Sequence, residues 1–201
     1  MEFFTLVVFV AIGLYVLKAT DQGRRIRLLG GHLGQYQIEK LMETLTEGYM
    51  RCLGESDAER QSQIWSLLAQ SEQTLASQFE RFAGDFAKVD AAQARVSRLP
   101  IAIPMIDRLL PAMSFDARQA FAIHARGIAD AAANVAGQTP KAKAFTMSAE
   151  LFLMQHTCHW FCRSRAVANA RLQLRHGTSH AMALASVSPK TRDAYRALTG
   201  V

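Results

Sequence analysis

From Phe3 to Leu17 the chain reads FFTLVVFVAIGLYVL, fifteen residues without a charge. Phe3, Phe4, Leu6, Val7, Val8, Phe9, Val10, Ile12, Leu14, Val16 and Leu17 make it apolar on every side, and only Thr5 and Gly13 weaken that character. Wound as a helix, the run spans about 22 Å at ~1.5 Å per residue, short of a hydrocarbon thickness near ~30 Å. Met1 lengthens it, Tyr15 suits the interface, Lys18 reaches outward along its stem, and a bilayer thins locally to meet a short span. A cleaved secretory signal needs basic residues in front and small residues behind. Here Glu2 comes first, and Leu17, Lys18 and Ala19 follow. A buried core helix is the other competitor. The expectation is a transmembrane anchor over residues 1–20.

Basic residues cluster on one side of this run: Lys18, Arg24, Arg25 and Arg27 follow it, and no Lys or Arg precedes it. The positive-inside bias then predicts a single pass through the inner (cytoplasmic) membrane, with the N-terminus outside and the remaining mass cytoplasmic. The same four side chains are candidates for anionic lipid headgroups. Gly23, Gly30, Gly31 and Gly34 punctuate the next stretch, which predicts a basic, glycine-rich hinge over residues 21–34.

Beyond the hinge the pattern is all-α, with about five to six helices forming a bundle over residues 35–187 and a short C-terminal helix and tail over 188–201. Ile38, Leu41, Met42, Leu45, Tyr49 and Cys52 recur at three- and four-residue steps, opposite Glu39, Glu43 and Glu47, and Gly54 ends that helix. A heptad seam follows, with Trp65, Glu72, Phe79 and Phe86 at one position and Leu68, Leu75, Phe82, Val89 and Val96 at the other. Ala69, Ala76 and Ala83 flank it and permit close helix approach. The seam reads as a bundle core or, more sharply, as a coiled-coil partner surface carried by Trp65, Leu68, Leu75, Phe79, Phe82 and Phe86. Glu72 either specifies register there or lies at the rim.

The stretch LPIAIPMIDRLLPAM holds Pro100, Pro104 and Pro111, which exclude one straight helix and leave an apolar connector. It either packs over the bundle or dips into a nearby interface. Ser114 then serves as an N-cap, with Phe121, Ala125, Ile128, Ala132 and Val135 forming a lean face. A long helix is predicted over 143–175, ended by Gly177, and a short one from Ser188 with Pro189 in its first turn. No run alternates convincingly with period two.

His156, Cys158, His159, Trp160 and Cys162 are the densest cluster of chemically able side chains. Cys158, His159 and Cys162 fall within one arc of a helix and form a candidate metal set, for which zinc is the fitting ion, with Cys52 or His124 as a fourth ligand. The competing reading is core packing, because free Cys is among the most buried residue types and apolar neighbours surround these. Cys158 and Cys162 followed by His176 and His180 also approach a zinc-finger spacing, but Gly177 interrupts the helix that must carry both histidines. The haem-attachment spacing is absent, as are a phosphate loop, a serine elbow and a two-His metalloprotease helix. His32 and His124 read as structural, and the pairs Asp85/Asp90 and Glu39/Glu43 as solvated faces. Three Cys in a long chain make no disulfide framework.

The net charge of +6 is not spread evenly. Residues 163–201 hold seven basic groups against Asp193 alone, while the two preceding segments nearly balance. This tail reads first as a solvated face, then as a contact for anionic lipid, and third as a nucleic-acid surface. Without a catalytic constellation, the expectation is a membrane-anchored helical scaffold or regulatory subunit that binds a protein partner or its own copy. A metal- or thiol-responsive regulator and an anionic-lipid or nucleic-acid binder are the alternatives. No small-molecule substrate can be read from these residues.

Overall fold

A computed structural model of the chain describes residues 2–104, 106 and 110–201. It is all-α apart from one minimal hairpin. Helix α1 (Glu2–Leu33) is followed by α2 (Ile38–Leu53), α3 (Ala58–Phe86), strands β1 (Arg95–Ser97) and β2 (Ser114–Asp116), α4 (Ala117–Ala132), α5 (Pro140–Cys162), α6 (Arg165–His176), α7 (His180–Ser186) and α8 (Pro189–Thr199). Among the described residues, six helices, α2 to α7, lie within residues 35–187, in keeping with the five to six expected, and α8 is the short C-terminal helix.

The boundaries are set by short polar side chains. Asp57, Asp116, Thr139, Ser164, Ser179 and Ser188 each accept a hydrogen bond from an N–H in the first turn of the helix they precede. Pro140 and Pro189 occupy first-turn positions, where a missing N–H has no consequence. Gly177 and Gly200 close α6 and α8 in the left-handed conformation, with φ of 63° and 75°. Ser114 is not the cap that the sequence suggested. It lies in β2, and Asp116 caps α4 instead.

Helix α3 packs between α2 and α4, α4 lies against α5 and α8, and α5 also carries α6 and α7. Being surrounded, α5 is apolar on nearly every side and shows no single stripe. The centre is aromatic. Phe79, Phe82, Phe86 and Phe121 are fully buried, and the Phe86 and Phe121 rings meet edge-on at 4.9 Å. Each such ring contributes about 1.5–3 kcal/mol by burial, with about 0.5–1.5 kcal/mol more for a favourable ring pair.

The expected 143–175 helix is two helices. Arg163 leaves helical geometry, at φ −132° and ψ −87°, and the Ser164 hydroxyl opens α6 in a new direction. Val135 is not part of the lean face of α4, because the helix stops at Ala132 and Val135 is exposed. The hairpin was not visible as alternation, since each strand is only three residues long. Val96 pairs with Phe115, both buried, and Phe115 meets the Trp160 ring edge-on at 4.9 Å.

The glycine-rich hinge is also corrected. Helix α1 runs unbroken through Gly23, Gly30 and Gly31 and stops only at Gly34. A mid-helix glycine costs roughly 1 kcal/mol relative to alanine, but this half of α1 docks on the bundle. Gln22, Arg25 and Leu29 share one face and are buried against it, and α1 packs on α5 and α3. Of the connector, Met105, Asp107, Arg108 and Leu109 lie outside the described residues.

Candidate functional site

Helix α1 has two dissimilar halves. Every residue from Phe3 to Thr20 is exposed, including Phe3, Phe4, Leu6, Phe9 and Leu17. At ~1.5 Å per residue this stretch is about 27 Å long, close to a hydrocarbon core. The helix is long and apolar enough to cross a membrane, and none of its most apolar stretch is buried in the molecule.

The four basic side chains at its foot separate into two kinds. Lys18 and Arg27 are exposed, and Arg24 is half-buried and ion-paired with Asp21 at 3.0 Å. Arg25 is turned into the protein, so it is not a free headgroup contact. It pairs with Asp21 at 2.9 Å, donates to the Arg95 carbonyl at 2.6 Å, and lies 5.6 Å from the Phe161 ring centre. Its position one helical turn after Asp21 places it on the docked face.

The heptad seam is internal. Leu68, Leu75, Phe79, Phe82 and Phe86 are buried against α2, α4 and α5, and Trp65 is half-covered beside Tyr49 at 6.0 Å. As a partner surface these residues are not accessible in this fold, because the neighbouring helices that cover them come from the same chain. Glu72 is neither rim nor free. It is buried, accepts from the Tyr49 hydroxyl at 2.6 Å, and forms an ion pair with Lys143, joining α2, α3 and α5. Burial first, then the Glu72 charge and hydrogen bond, hold the Tyr49 hydroxyl protonated far above its ordinary range.

The cysteine and histidine cluster of α5 diverges. The Cys158 thiol points to the Met154 sulfur at 3.8 Å, while His159 Nδ1 faces Arg171 at 3.1 Å. His176 stacks on Phe152 at 3.9 Å and pairs with Gln155 at 2.7 Å. Among the described residues, no group of three or more His, Cys, Asp or Glu side chains converges as a metal site. The thiols are also poorly suited to sensing. Burial pushes Cys158 well up and Cys162 to about 11, the latter despite Arg163, Arg25 and Arg171. The reactive form of a thiol is the thiolate, which these positions disfavour.

No family model, no curated protein and no solved structure matches this chain.

Two features were not anticipated from sequence. One is an open cleft of about 680 Å³, with Glu39, Glu43, Glu47 and Met50 of α2 on one wall and Phe152, Gln155, Arg175 and His176 of α5 and α6 on the other. The acidic stripe of α2 was legible, but its opposing wall depends on how α6 turns back along α5. The other is a buried polar core. His124 Nε2 and Thr157 Oγ1 lie 2.9 Å apart, Thr157 Oγ1 and the Tyr195 hydroxyl 2.9 Å, and the His156 and His180 rings 4.4 Å. Burial holds His124 and His156 neutral, with pKa values lowered to about 3, the neighbouring imidazoles adding to the effect.

Glu150 lies in the same region. Its Oε1 accepts from the Ser188 N–H at 3.1 Å, and burial raises its pKa to about 7 against the lowering effect of that bond. Gly127 leaves room for it, since a Cβ there would collide with Glu150 Oε2 and Thr191 Oγ1 and force them to shift. The polar residues come from α4, α5, α7 and α8. Only their repeated presence on otherwise apolar helices could have signalled them.

Proposed function

We propose that this protein is a single-pass, membrane-anchored helical scaffold or regulatory subunit that presents its bundle on the cytoplasmic side and binds a protein partner there. The observation that carries the proposal is the continuity of α1. Its exposed apolar half passes without a break into a half whose buried stripe is Gln22, Arg25 and Leu29. An apolar helix exposed over its whole circumference is costly in water and favourable in lipid. Because no hinge intervenes, the bundle is joined rigidly to the apolar half of α1. Lys18, Arg24 and Arg27 favour the cytoplasmic leaflet for the bundle side.

With the heptad seam buried, partner binding falls to the cleft beside α2. Glu39, Glu43 and Glu47 are exposed along one wall, and Met50, 78% exposed, offers an adaptable apolar contact at its end. The fitting occupant is a basic, amphipathic helical segment of a partner protein.

The membrane assignment is tested by alkaline extraction of membranes and by protease added outside spheroplasts. The chain should stay with the lipid and its bundle should be protected. Release into the soluble fraction, or digestion of the bundle from outside, would remove the reading. For the cleft, detergent-solubilised protein carrying Glu39→Lys, Glu43→Lys and Glu47→Lys should lose a salt-sensitive partner that the parent chain captures, with its melting unchanged. Capture of the same partners by both proteins argues against the cleft.

A further inference from the structure

The basic side chains around the foot of α1 differ in what balances their charge. Asp21 takes both Arg24, at 3.0 Å, and Arg25, at 2.9 Å, so its carboxylate is already shared by two guanidinium groups. Lys18 and Arg163 are exposed, and among the described residues neither has a carboxylate within ion-pair distance.

Arg163 reaches this place from the other end of the chain. It lies at the bend between α5 and α6, and its Nη1 donates to Gln22 Oε1 at 2.6 Å across 141 positions of sequence. Gln22 is buried on the docked face of α1, and Lys18 precedes it on that face by about one helical turn. The Gln22 amide fixes the guanidinium without neutralising it, because its carbonyl oxygen carries no net charge. Arg163 therefore keeps its full charge and its remaining N–H donors, in the planar fork that suits a phosphate. Arg163, Arg25 and Arg171 also oppose the burial that raises the Cys162 thiol, which marks a positive field at this end of α5.

Depth along the anchor identifies the anion. The exposed stretch ends at Thr20, and Gln22 follows about 3 Å further along the axis. The headgroup layer beside a hydrocarbon core is roughly 5–7 Å thick, so Lys18 and Arg163 fall where lipid phosphates lie.

We infer that Lys18 and Arg163 form a binding site for the phosphate of an anionic phospholipid, with Gln22 holding Arg163 in place. The inference rests on the spanning role proposed for α1. A lipid is the fitting occupant because both cations stand at headgroup depth beside the anchor and lack a countercharge from their own chain. The site favours an anionic lipid over zwitterionic phosphatidylcholine, whose own ammonium group already balances its phosphate.

The test uses the full chain in dodecyl maltoside with added phosphatidylglycerol or phosphatidylcholine, the first bound lipid being counted by native mass spectrometry. The parent should prefer phosphatidylglycerol. Lys18→Gln and Arg163→Gln should each weaken that lipid by about fivefold, the factor for one basic group near an anionic surface, and leave phosphatidylcholine unchanged. Gln22→Glu sets a carboxylate against Arg163 and should weaken phosphatidylglycerol similarly, although both cations remain. Lys18→Gln, at an exposed position, keeps the test decisive should Arg163→Gln disturb the bend. Arg51→Gln is the control, since Arg51 lies in the last turn of α2 near Tyr49, which reaches Lys143 through Glu72. Lys143 is about 30 Å along α5 from Arg163. The site is refuted by a parent without preference, by an equal loss in Arg51→Gln, or by a preference that survives in Lys18→Gln or in both Arg163→Gln and Gln22→Glu. Displacement of phosphatidylglycerol by excess inorganic phosphate overturns the lipid assignment as well. In all these cases the anchor stands if the chain needs detergent and takes up phosphatidylcholine. A chain that is soluble without detergent and takes neither lipid removes both readings.

Discussion

The two halves of α1 obey opposite rules although they belong to one helix. Between Phe3 and Thr20 apolar side chains are exposed all round, whereas between Asp21 and Leu33 a charged side chain, Arg25, is buried and an Arg-rich sequence is docked on protein. The difference lies in what surrounds each half. In the proposed spanning role the outer half would face lipid, which has no need of an amphipathic stripe, while the inner half places Gln22, Arg25 and Leu29 on one face because only one face meets the bundle. A buried arginine is tolerable there because Asp21, the Arg95 carbonyl and the Phe161 ring together replace its water.

The comparison breaks most decisively in the outer half. Val7→Arg combined with Val10→Arg should cost about 2.5–3.5 kcal/mol of membrane insertion per residue and release much of the chain from the lipid fraction. The bundle's melting temperature in detergent should not change. A large fall in melting would mean that the outer half belongs to the packed fold.

Titration should divide the chain in the same way, since the strongly shifted groups lie in the bundle. The pKa of Glu150 is raised from 4.5 unfolded to about 7 folded. Between these values the folded chain holds a proton that the unfolded chain has lost, so stability falls as pH rises through the window. Glu150→Gln should therefore melt like the parent below pH ~4.5 and gain up to about 3 kcal/mol above pH ~7. His124 and His156 act in the opposite direction. Their folded values near 3 lie below the ordinary imidazole value of 6.5, so acid destabilises the bundle as pH falls from 6.5. Urea melts across this range separate the two effects. An equal gain from Glu150→Gln at every pH would show that its carboxylate is not the cause.

Arg25→Ala should destabilise the bundle by about 2 kcal/mol, the scale of losing charged hydrogen bonds, with membrane recovery unchanged. Unaltered melting would mean that the inner half is not docked as described. Smallest are Lys18→Gln and Arg27→Gln, each expected to weaken association with anionic vesicles by about 1 kcal/mol and to leave melting untouched. If neutral vesicles show the same loss, the effect is not one of headgroup charge.

Much of this was legible in order along the chain. The apolar run, the helices of α2 and α3, and the start at Ser188 follow from periodicity and capping chemistry that act within a few residues. The seam from Trp65 to Phe86 was legible as a seam, but not as an interior one. Whether an apolar stripe faces a partner or its own chain depends on where α2, α4 and α5 return, and no local signal carries that. The hinge was misread for a related reason. Glycine lowers helix propensity locally, and the docking of Gln22, Arg25 and Leu29 outweighs it only once the bundle exists.

The sequence by itself determined that the chain is helical, that its first segment is too apolar on every side for water, and that positive charge gathers at the foot of that segment. These are properties of neighbouring residues and of transfer between solvents, which need no knowledge of the fold. Tertiary structure alone decided that Arg25 is inside while Lys18 is outside, that Glu72 meets Lys143 across 71 positions of chain, and that Cys158 and His159 point apart. Each of these depends on which distant segments meet, and that is set by the packing of the whole chain.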